Sequence, residues 1–256
     1  HLPALTEVGY GTFFYAPDTS FAGAPEKYPL AKVTFAPGTT AIGTATFFSY
    51  GGFPSLTVIS LPDSVKNSVT KIADATFAGC SAVTTLNLGK LTYVGDRAFS
   101  GCTALTGLDT SALTYVGDRA FADCKNLTFS DLSHVTSIGS NAFARTTVTA
   151  ADLRACETIG SRAFYDSTLA TLTGLDKLTT IGDYAFANTD LSGTFTFPAT
   201  LAAKRGAVGK GIFIGTQVSR VEMAAENARY FAVNGVLFLH LENGAVELVL
   251  CPPAYD

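Results

Sequence analysis

Val94-Gly-Asp-Arg-Ala-Phe99 recurs along the chain, and its recurrence decides the fold. Nine copies begin with Val or Ile, at Val8, Ile42, Ile72, Val94, Val116, Ile138, Ile159, Ile181 and Val208. Each copy carries Phe at its sixth place, namely Phe13, Phe47, Phe77, Phe99, Phe121, Phe143, Phe164, Phe186 and Phe213. From Ile72 to Ile181 the copies start 22, 22, 22, 21 and 22 residues apart. A fixed period in the twenties predicts a solenoid of stacked coils.

Each unit is expected to form one coil with apolar side chains directed inward on every side. The apolar spacing fits neither a steady period of 3.6 nor a long alternation. Leu86-Asn87-Leu88 and its equivalents predict short strands that stack in parallel about 4.8 Å apart. Gly at the second place predicts a sharp backbone turn. A polar residue before each Ala-Phe pair predicts the N-cap of a short helical turn. In the regular units these residues are Asp96, Asp118, Ser140, Ser161 and Asp183.

The third residue after the Phe divides the regular units into two kinds. Where the next apolar residue stands six places after the Phe, the position holds Cys80, Cys102 or Cys124. Where it stands five places after, the position holds Thr146, Ser167 or Thr189. The stacked cysteines permit one disulfide, but reduced, buried thiols are the favoured interpretation. With Cys156 and Cys251 the total is odd, so the sequence predicts no disulfide framework.

The two ends of the repeat array depart from the pattern. An insertion with Tyr15, Phe21 and Tyr28 predicts an irregular N-terminal cap, with an aromatic binding loop as the alternative. Near the C-terminus, Asn234-Gly235 and Asn243-Gly244 separate three apolar runs and predict a small β-meander. The predicted organisation is a solenoid over residues 1–225 and a β-meander over residues 226–256 that caps it or links it onward.

Composition excludes several classes of protein. Of the 256 residues, 47% are apolar and 15% are charged, which excludes disorder. A net charge of −4 argues against a nucleic-acid partner, which requires a basic stripe. No apolar run approaches the roughly 18 residues of a transmembrane helix. The chain opens at His1 rather than Met, as expected of a mature or trimmed chain without its export signal or anchor.

The unit Val94-Gly-Asp-Arg-Ala-Phe-Ser-Gly-Cys-Thr-Ala-Leu-Thr-Gly-Leu108 resembles the BspA-like leucine-rich repeats of bacterial surface and secreted proteins. The segment 226–238 resembles the β insertion often found between repeat arrays of that family. The resemblance covers about residues 5–252 and implies a right-handed leucine-rich-repeat solenoid, exposed outside the cell. It implies adhesion or protein binding in general terms, and it brings no shared catalytic motif.

Catalytic chemistry finds little support in the sequence. His1, His134 and His240 lie far apart in the repeat register, and none has a partner at a motif spacing. Gly-x-Ser-x-Gly, His-Glu-x-x-His and phosphate-binding loops are missing from the sequence. The sequence therefore predicts no enzyme, no metal site and no cofactor.

A polar row is the candidate ligand-binding site. Asn87, Asp109, Asp131 and Asp152 each stand four residues beyond an apolar anchor and are expected on one exposed, concave line of stacked strands. This row, together with Arg154, is called the acidic strip. Carboxylates about 5 Å apart raise the pKa of at least one of them unless a cation or basic ligand lies there. The simpler and favoured interpretation is a solvated strand edge that resists aggregation, with Arg154 neutralising part of the charge.

The predicted function is a non-catalytic binding module, because solenoids supply wide surfaces rather than deep pockets. The expected partner is an extracellular or host protein, bound by a monomer located outside the cell or at its surface. The alternative is glycan binding, with Tyr93, Tyr115, Tyr184 and the N-terminal insertion as the platform. An enzyme would require a pocket built by the insertions at 15–28 and 50–53.

Overall fold

The chain folds as a parallel β-solenoid of about seven turns followed by an antiparallel sheet, which confirms the predicted fold class. The structure is a computed structural model that describes residues 7–8, 32–34, 41–42, 56–60, 69–86, 88–129, 131–202, 204–224 and 227–253. Asn87 and the insertions at 15–28 and 50–53 lie outside the described residues. Two compact units are present, residues 1–131 and residues 132–256. The division at residue 225 stays a prediction.

Short parallel strands stack from coil to coil in the first unit. They are β1 (Glu7–Val8), β2 (Lys32–Thr34), β3 (Ala41–Ile42), β4 (Val58–Ser60), β5 (Lys71–Ile72), β6 (Tyr93–Val94), β7 (Gly107–Leu108), β8 (Tyr115–Val116) and β9 (Thr128–Phe129). β1 pairs with β3, β2 with β4, and β7 with β9. β5, β6 and β8 form a row in which Ile72, Val94 and Val116 pair in turn. The first residue of the repeat therefore sets the register.

The segment Leu86–Leu88 corrects one detail of the strand prediction. Leu86 and Leu88 are not part of a strand. The Leu88 N–H instead donates to the Leu86 carbonyl at 2.9 Å, a bond that closes a tight local turn. Because that N–H is used within the coil, it is not available to a neighbouring strand.

The second unit continues the same construction. Its solenoid strands are β10 (Ser137–Ile138), β11 (Ala150–Asp152), β12 (Thr158–Ile159), β13 (Thr171–Thr173), β14 (Thr180–Ile181), β15 (Ser192–Phe197) and β16 (Gln217–Met223). β10, β12 and β14 form a parallel row through Ile138, Ile159 and Ile181. β11 pairs with β13, and β15 pairs with β16 through a register shift between Gly193 and Thr194. β15 and β16 are the longest strands of this unit.

The Phe residues of the repeats that the structure describes, from Phe77 to Phe213, form the centre of the core. Within each unit these rings are fully buried and stack on their neighbours. The stacked pairs are Phe77–Phe99 (5.4 Å), Phe99–Phe121 (5.5 Å), Phe143–Phe164 (5.2 Å), Phe164–Phe186 (5.9 Å) and Phe186–Phe213 (6.0 Å) between ring centroids. An aromatic pair at such a separation stabilises the fold by about 0.5–1.5 kcal/mol beyond the burial of its area. The period of the sequence is therefore the period of the core.

In the regular repeats from Val94 onward, consecutive hydrogen-bonded turns follow the glycine, and the predicted short helical turns are not seen among the described residues. In these turns every second main-chain N–H donates to the carbonyl three residues earlier in the same coil. The N–H groups between them donate to main-chain carbonyls of the next coil. In the coil from Val94 the forward donors are Arg97, Phe99 and Gly101, at 2.7–2.8 Å. Arg97 and Gly101 have positive φ, 56° and 77°. A helix keeps its N–H groups within one segment, so this alternation excludes it.

The glycine at the second place is required by close approach between coils, not by a sharp turn. A Cβ on Gly117 would lie 2.7 Å from the Gly95 carbonyl carbon and 2.7 Å from the Asp96 nitrogen. Neither Gly95 nor Gly117 has positive φ. Backbone atoms cannot move aside as a flexible side chain does, so a side chain at this position forces neighbouring coils apart.

The polar residue before the Ala-Phe pair connects coils instead of capping a helix. Asp74 Oδ1 accepts the main-chain N–H of Asp96 at 2.9 Å. Asp183 Oδ1 likewise accepts the N–H of Lys210 at 2.8 Å. The acceptor chemistry that favours Asp at an N-cap is used here between adjacent turns of the solenoid.

The two kinds of repeat satisfy the carbonyl of the buried Phe in different ways. Cys102 and Cys124 donate their thiol to the Phe carbonyl of the preceding coil, each at 3.1 Å. Thr146 and Ser167 donate their hydroxyl to the Phe carbonyl of their own coil, at 2.8 and 2.7 Å. All five cysteines are free, and only Cys251 is exposed. Reduced, buried thiols are therefore confirmed in the stacked positions.

The C-terminal segment forms the predicted β-meander. Its antiparallel strands are β17 (Tyr230–Val233), β18 (Val236–His240) and β19 (Val246–Leu250). Asn234 and Gly235 both have positive φ, 51° and 82°, as a two-residue hairpin loop of type I′ requires. Leu237 and Leu239 face inward and are buried. The Asn-Gly pairs in the sequence therefore identified this sheet correctly.

Candidate binding surface

Exposed threonines form an ordered row in the first unit. The Thr106 hydroxyl donates to the Thr84 carbonyl at 3.1 Å, and the Thr128 hydroxyl donates to the Thr106 carbonyl at 2.9 Å. All three side chains are exposed. The hydroxyls of Thr106 and Thr128 are oriented by the coil before them, so the row is a regular, uncharged surface.

Asp109, the first described member of the acidic strip, lies beside this row and is exposed. Its Oδ1 accepts the Ser111 main-chain N–H at 3.0 Å and the Ser111 hydroxyl at 2.6 Å. These hydrogen bonds from Ser111 hold the pKa of the Asp109 carboxyl below its usual value. Asp109 is therefore a stable anion with local donors.

Asp131 is half-buried and does not lie directly opposite Asp109 in the strand register. The register that pairs Gly107 with Thr128 places Asp131 beside Thr110, and the Asp131 N–H donates to the Thr110 hydroxyl at 3.2 Å. Asp109 and Asp131 are 22 residues apart in the sequence, whereas the residues that pair between these two strands are 21 apart. The structure thus offsets these two carboxylates by one residue along the strand.

Asp152 and Arg154 are brought together in the second unit. The Arg154 guanidinium donates to Asp152 Oδ2 through Nε at 2.9 Å and also through a terminal nitrogen. The Arg154 main-chain N–H donates to Oδ1 at 3.2 Å. These bonds, with the side-chain bond the largest influence, lower the pKa of the Asp152 carboxyl. Arg154 therefore neutralises the carboxylate beside it.

Repulsion between carboxylates is not the dominant influence on the pKa values of Asp109 and Asp152. Repulsion between carboxylates was expected to raise at least one pKa, yet the pKa values of Asp109 and Asp152 are both lowered. Short-range hydrogen bonds outweigh like-charge repulsion at these two residues, which stay ionised in the neutral range. Binding of a ligand by the acidic strip stays a prediction.

Two of the three candidate tyrosines form a pair. Tyr93 and Tyr115 stack with their ring centroids 4.8 Å apart and their planes within 6°. Both are half-buried, and burial, followed by the nearby Asp74 and Asp96, raises the pKa of Tyr93. Tyr184 stands at another place of the repeat, with the Arg162 guanidinium 5.2 Å from its ring centroid. The pair therefore presents ring edges, and one face of each ring is covered by the other.

A groove of about 370 Å³ lies between β13 and β15 in the second unit. Exposed hydroxyl side chains line it, and so do the buried side chains of Leu191, Phe195 and Pro198. Among the described residues of its lining, Asp176 is the one that carries a charge. The repeat pattern does not predict this groove, although the alternation Ser192-Gly-Thr-Phe-Thr-Phe197 is the signal of the long strand on one side of it.

A second cleft, of about 380 Å³, lies beside the antiparallel sheet and includes Asp183, Lys210 and Tyr230 in its lining. Arg205 donates to Glu247 Oε1 at 2.8 Å across this region. The Tyr230 hydroxyl donates to the Lys204 carbonyl at 2.8 Å. These contacts join the end of the coils to β17 and β19, so the cleft is a structural junction.

The histidines that are described lie apart from each other. His134 is exposed and its Nδ1 lies 3.2 Å from the Ser133 hydroxyl, whereas the His240 ring stacks on Phe231 at 4.4 Å. The described part of the chain contains no group of three or more His, Cys, Asp or Glu arranged for a metal ion. Nor does any helix there have the length and apolar character needed to cross a membrane.

The family model described as "BspA type Leucine rich repeat region" matches this chain in six copies, over residues 40–170 and 157–227. No curated protein matches the chain at a significant level. The matched residues include every regular repeat and most of the strands described above.

Solved structures of three bacterial proteins resemble the chain. A leucine-rich repeat protein from Bacteroides ovatus has 16% identity and a TM-score of 0.52, over 76% of this chain and 55% of that one. A leucine-rich cell surface protein from Faecalibacterium prausnitzii has 20% identity and a TM-score of 0.42, over 97% and 50%. The pneumococcal vaccine antigen PcpA has 20% identity and a TM-score of 0.42, over 98% and 43%. The chain therefore spans about half the length of these structures, and the first of them supports the fold.

Proposed function

The chain belongs to the BspA-type leucine-rich repeat family, and we propose that it is a non-catalytic module that binds another protein on its solenoid surface. The partner we propose is an extracellular or host protein. The location we propose is the cell surface or the extracellular space, in keeping with the resemblance to surface and secreted proteins. The module is proposed to act as a monomer.

The stacked, oriented row of exposed side chains is the observation that carries this proposal. Thr84, Thr106 and Thr128 occupy successive coils, and the hydroxyls of Thr106 and Thr128 are hydrogen-bonded to the coil before them. A solenoid that repeats such a row offers a long surface whose side chains are ordered before a partner arrives. Ordering in advance reduces the entropy lost on binding, and this favours broad protein contacts.

The acidic strip is the proposed contact region. Asp109 and Asp152 are anionic with lowered pKa values. Asp152 is already paired with Arg154, so the charge that a partner complements with Lys or Arg is chiefly that of Asp109. The Arg154 guanidinium also has five N–H donors, and those on Nε and one terminal nitrogen are directed at Asp152. A change in the strip should therefore alter association rate and salt dependence more than protein stability.

The test is binding of this chain to a panel of extracellular matrix proteins and to a glycan array. Each protein that binds is measured again with a triple variant, Asp109→Asn, Asp131→Asn and Asp152→Asn. The matched control is a triple variant of exposed acidic residues elsewhere, Glu157→Gln, Asp166→Asn and Asp190→Asn. Loss of binding in the first triple variant alone would support the acidic strip.

Two results would count against the proposal. Glycans that bind with no protein hit would favour the alternative function, and Tyr93→Ala and Tyr115→Ala would then test the stacked pair. A panel without any hit at physiological salt would remove the support for protein binding. A protein hit that both triple variants retain would preserve the function and reject the acidic strip as its site.

A further inference from the structure

Two strand edges without a strand partner line the groove between β13 and β15. Within the described residues of the second unit, β13 pairs with β11 alone and β15 pairs with β16 alone. In the other parallel row of this unit, β10, β12 and β14, the strands of successive coils pair directly. The stacking of strands is therefore interrupted at this place.

The register of β13 shows which of its groups face the groove. The Thr171 N–H donates to the Thr149 carbonyl at 3.1 Å, and the Thr173 carbonyl accepts the Leu153 N–H at 2.9 Å. Thr171 and Thr173 thus direct their main-chain groups toward β11. Because main-chain groups alternate in direction along a parallel strand, the N–H and C=O of Leu172 are directed toward the groove.

On the opposite wall, the main-chain groups of β15 alternate in the same way. The Leu191 carbonyl accepts the Gln217 N–H at 2.9 Å, and the Phe197 carbonyl accepts the Ala224 N–H at 2.8 Å. Odd-numbered residues of this strand therefore face β16. The N–H and C=O groups of the residues between them, Ser192, Thr194 and Thr196, are directed toward the groove. Their side chains are exposed.

We infer that this groove binds an extended, uncharged peptide segment of the partner protein, which pairs as an added strand with the outer edge of β15. The inference rests on the proposed protein-binding function and specifies how that binding occurs. Three outward residues on β15 repeat their donor and acceptor groups about every 6.6–6.8 Å, which is the two-residue repeat of a β-strand. A peptide backbone matches this repeat along its whole length.

The lining of the groove selects the side chains of the segment. Phe195, Leu191 and Pro198 are buried and give apolar contact, whereas the exposed hydroxyls accept small polar groups. Because Asp176 is the one charged residue that the structure describes in the lining, a charged peptide side chain has little to pair with there and loses its hydration. The fitting segment therefore alternates apolar and small polar residues.

The test uses the full chain and a phage-displayed library of random dodecapeptides. Selected peptides are synthesised, and their affinity is measured for the wild type and three variants. Leu172→Arg places a charge in the groove, and Thr194→Pro removes an outward N–H from β15. Proline is compatible with an outward edge position, and circular dichroism checks that each variant is folded. Thr149→Arg is the control, since Thr149 is exposed and is not part of the groove lining.

Leu172→Arg and Thr194→Pro are each expected to weaken the selected peptides about tenfold or more, while Thr149→Arg leaves the affinity unchanged. N-methylation along the peptide should abolish binding at alternate residues, as strand pairing requires. Selected peptides that tolerate N-methylation everywhere, or that bind all variants equally, would overturn the inference. So would a library that yields no binder. If panel proteins still bind, the proposed function stands without the inference; if they too fail to bind, both are rejected.

Discussion

Asp96 accepts the main-chain N–H of Asp118, which holds the same place one coil later, at 2.8 Å through Oδ1. The preceding coil repeats the contact between Asp74 and Asp96. An Asp at this position thus acts on a main-chain group 22 residues away. Repetition of the residue along the sequence reflects repetition of the bond between coils.

Replacing Asp96 tests this bond. Asp96→Ala removes the acceptor and should lower the free energy of unfolding by about 0.5–1.5 kcal/mol. Asp96→Asn keeps an oxygen in place and should have less effect. Urea unfolding followed by circular dichroism measures both variants. An equal loss in the two would mean that the charge of Asp96 matters and the hydrogen bond does not.

Replacing a glycine of the repeat tests the contact between coils. In Gly117→Ala the new Cβ would lie 2.5 Å from Asp96 Oδ1 and 2.7 Å from backbone atoms of the previous coil. We expect a loss of about 1–3 kcal/mol or more, as for other overpacked sites. Gly107→Ala is the control, because its nearest neighbour, Thr128 Oγ1, lies 3.9 Å away. Thermal unfolding of both should separate them, and similar melting temperatures would contradict the argument.

The buried thiols make the fold sensitive to alkali. Burial raises the pKa of Cys80, Cys124 and Cys156 from 9.0 to about 12, and raises that of Cys102 well above 9.0. The folded state keeps these protons while the unfolded state releases them above about pH 9. Stability is therefore complete below pH 9 and is lost as pH rises toward 12, by up to about 1.4 kcal/mol per pH unit for each thiol.

Urea unfolding at several pH values between 8 and 11 measures this loss. The variant with Cys80→Ala and Cys124→Ala should show a shallower decline. At pH 8 a thiol reagent should label Cys251 rapidly in the folded chain and the other four cysteines only after unfolding. Rapid labelling of more than one thiol in the folded chain would contradict the burial.

The pair of Asp152 and Arg154 predicts a titration. Arg154→Ala should raise the pKa of the Asp152 carboxyl toward its ordinary value of 3.8, since the guanidinium bond is the largest cause of its lowering. Carboxyl carbon NMR measures the shift, with Lys177→Ala as the control. A lowered pKa contributes stability above about pH 4 that is lost as pH falls through the folded-state pKa. Because Arg154 is 71% exposed, the stability difference should stay below about 1 kcal/mol.

The repeat period predicted the core and the fold, because both depend on residues one coil apart. Buried Phe99 and Phe121 follow directly from the 22-residue step. The C-terminal sheet was equally predictable, since Asn234 and Gly235 determine its first turn locally. In the first case the sequence pattern and the structure share the repeat as their cause, and in the second they share a local turn.

The turn after each glycine was predicted incorrectly as helical. Phe99 has no helical hydrogen bond because its N–H donates to the coil that follows. Local propensity contains no information about that neighbour, so an Asp before Ala-Phe looked like an N-cap. The role of Gly117 was misassigned for the same reason, as its constraint comes from the preceding coil.

The candidate site was less predictable than the core. The predicted acidic strip requires Asp131 to lie opposite Asp109, 22 residues earlier. Asp131 lies beside Thr110 instead, because the residues that pair between the two strands are 21 apart. The groove beside β15 depends on which strands fail to pair. A register between two short strands is determined by the packing of whole coils, which alternation alone does not reveal.

The alternating turns give the stack a direction. Arg97, Phe99 and Gly101 each send their N–H forward to the following coil, and the carbonyls that receive them point back. Along this turn, one side of a coil therefore shows hydrogen-bond donors and the opposite side shows acceptors, whereas the strand before the turn donates the other way, from the Gly95 N–H to the Ile72 carbonyl. Two arrays of this kind can extend each other only in a head-to-tail order, because facing like sides would bring donor against donor along the turn. Any filament or fusion built by continuing the coils must inherit that polarity.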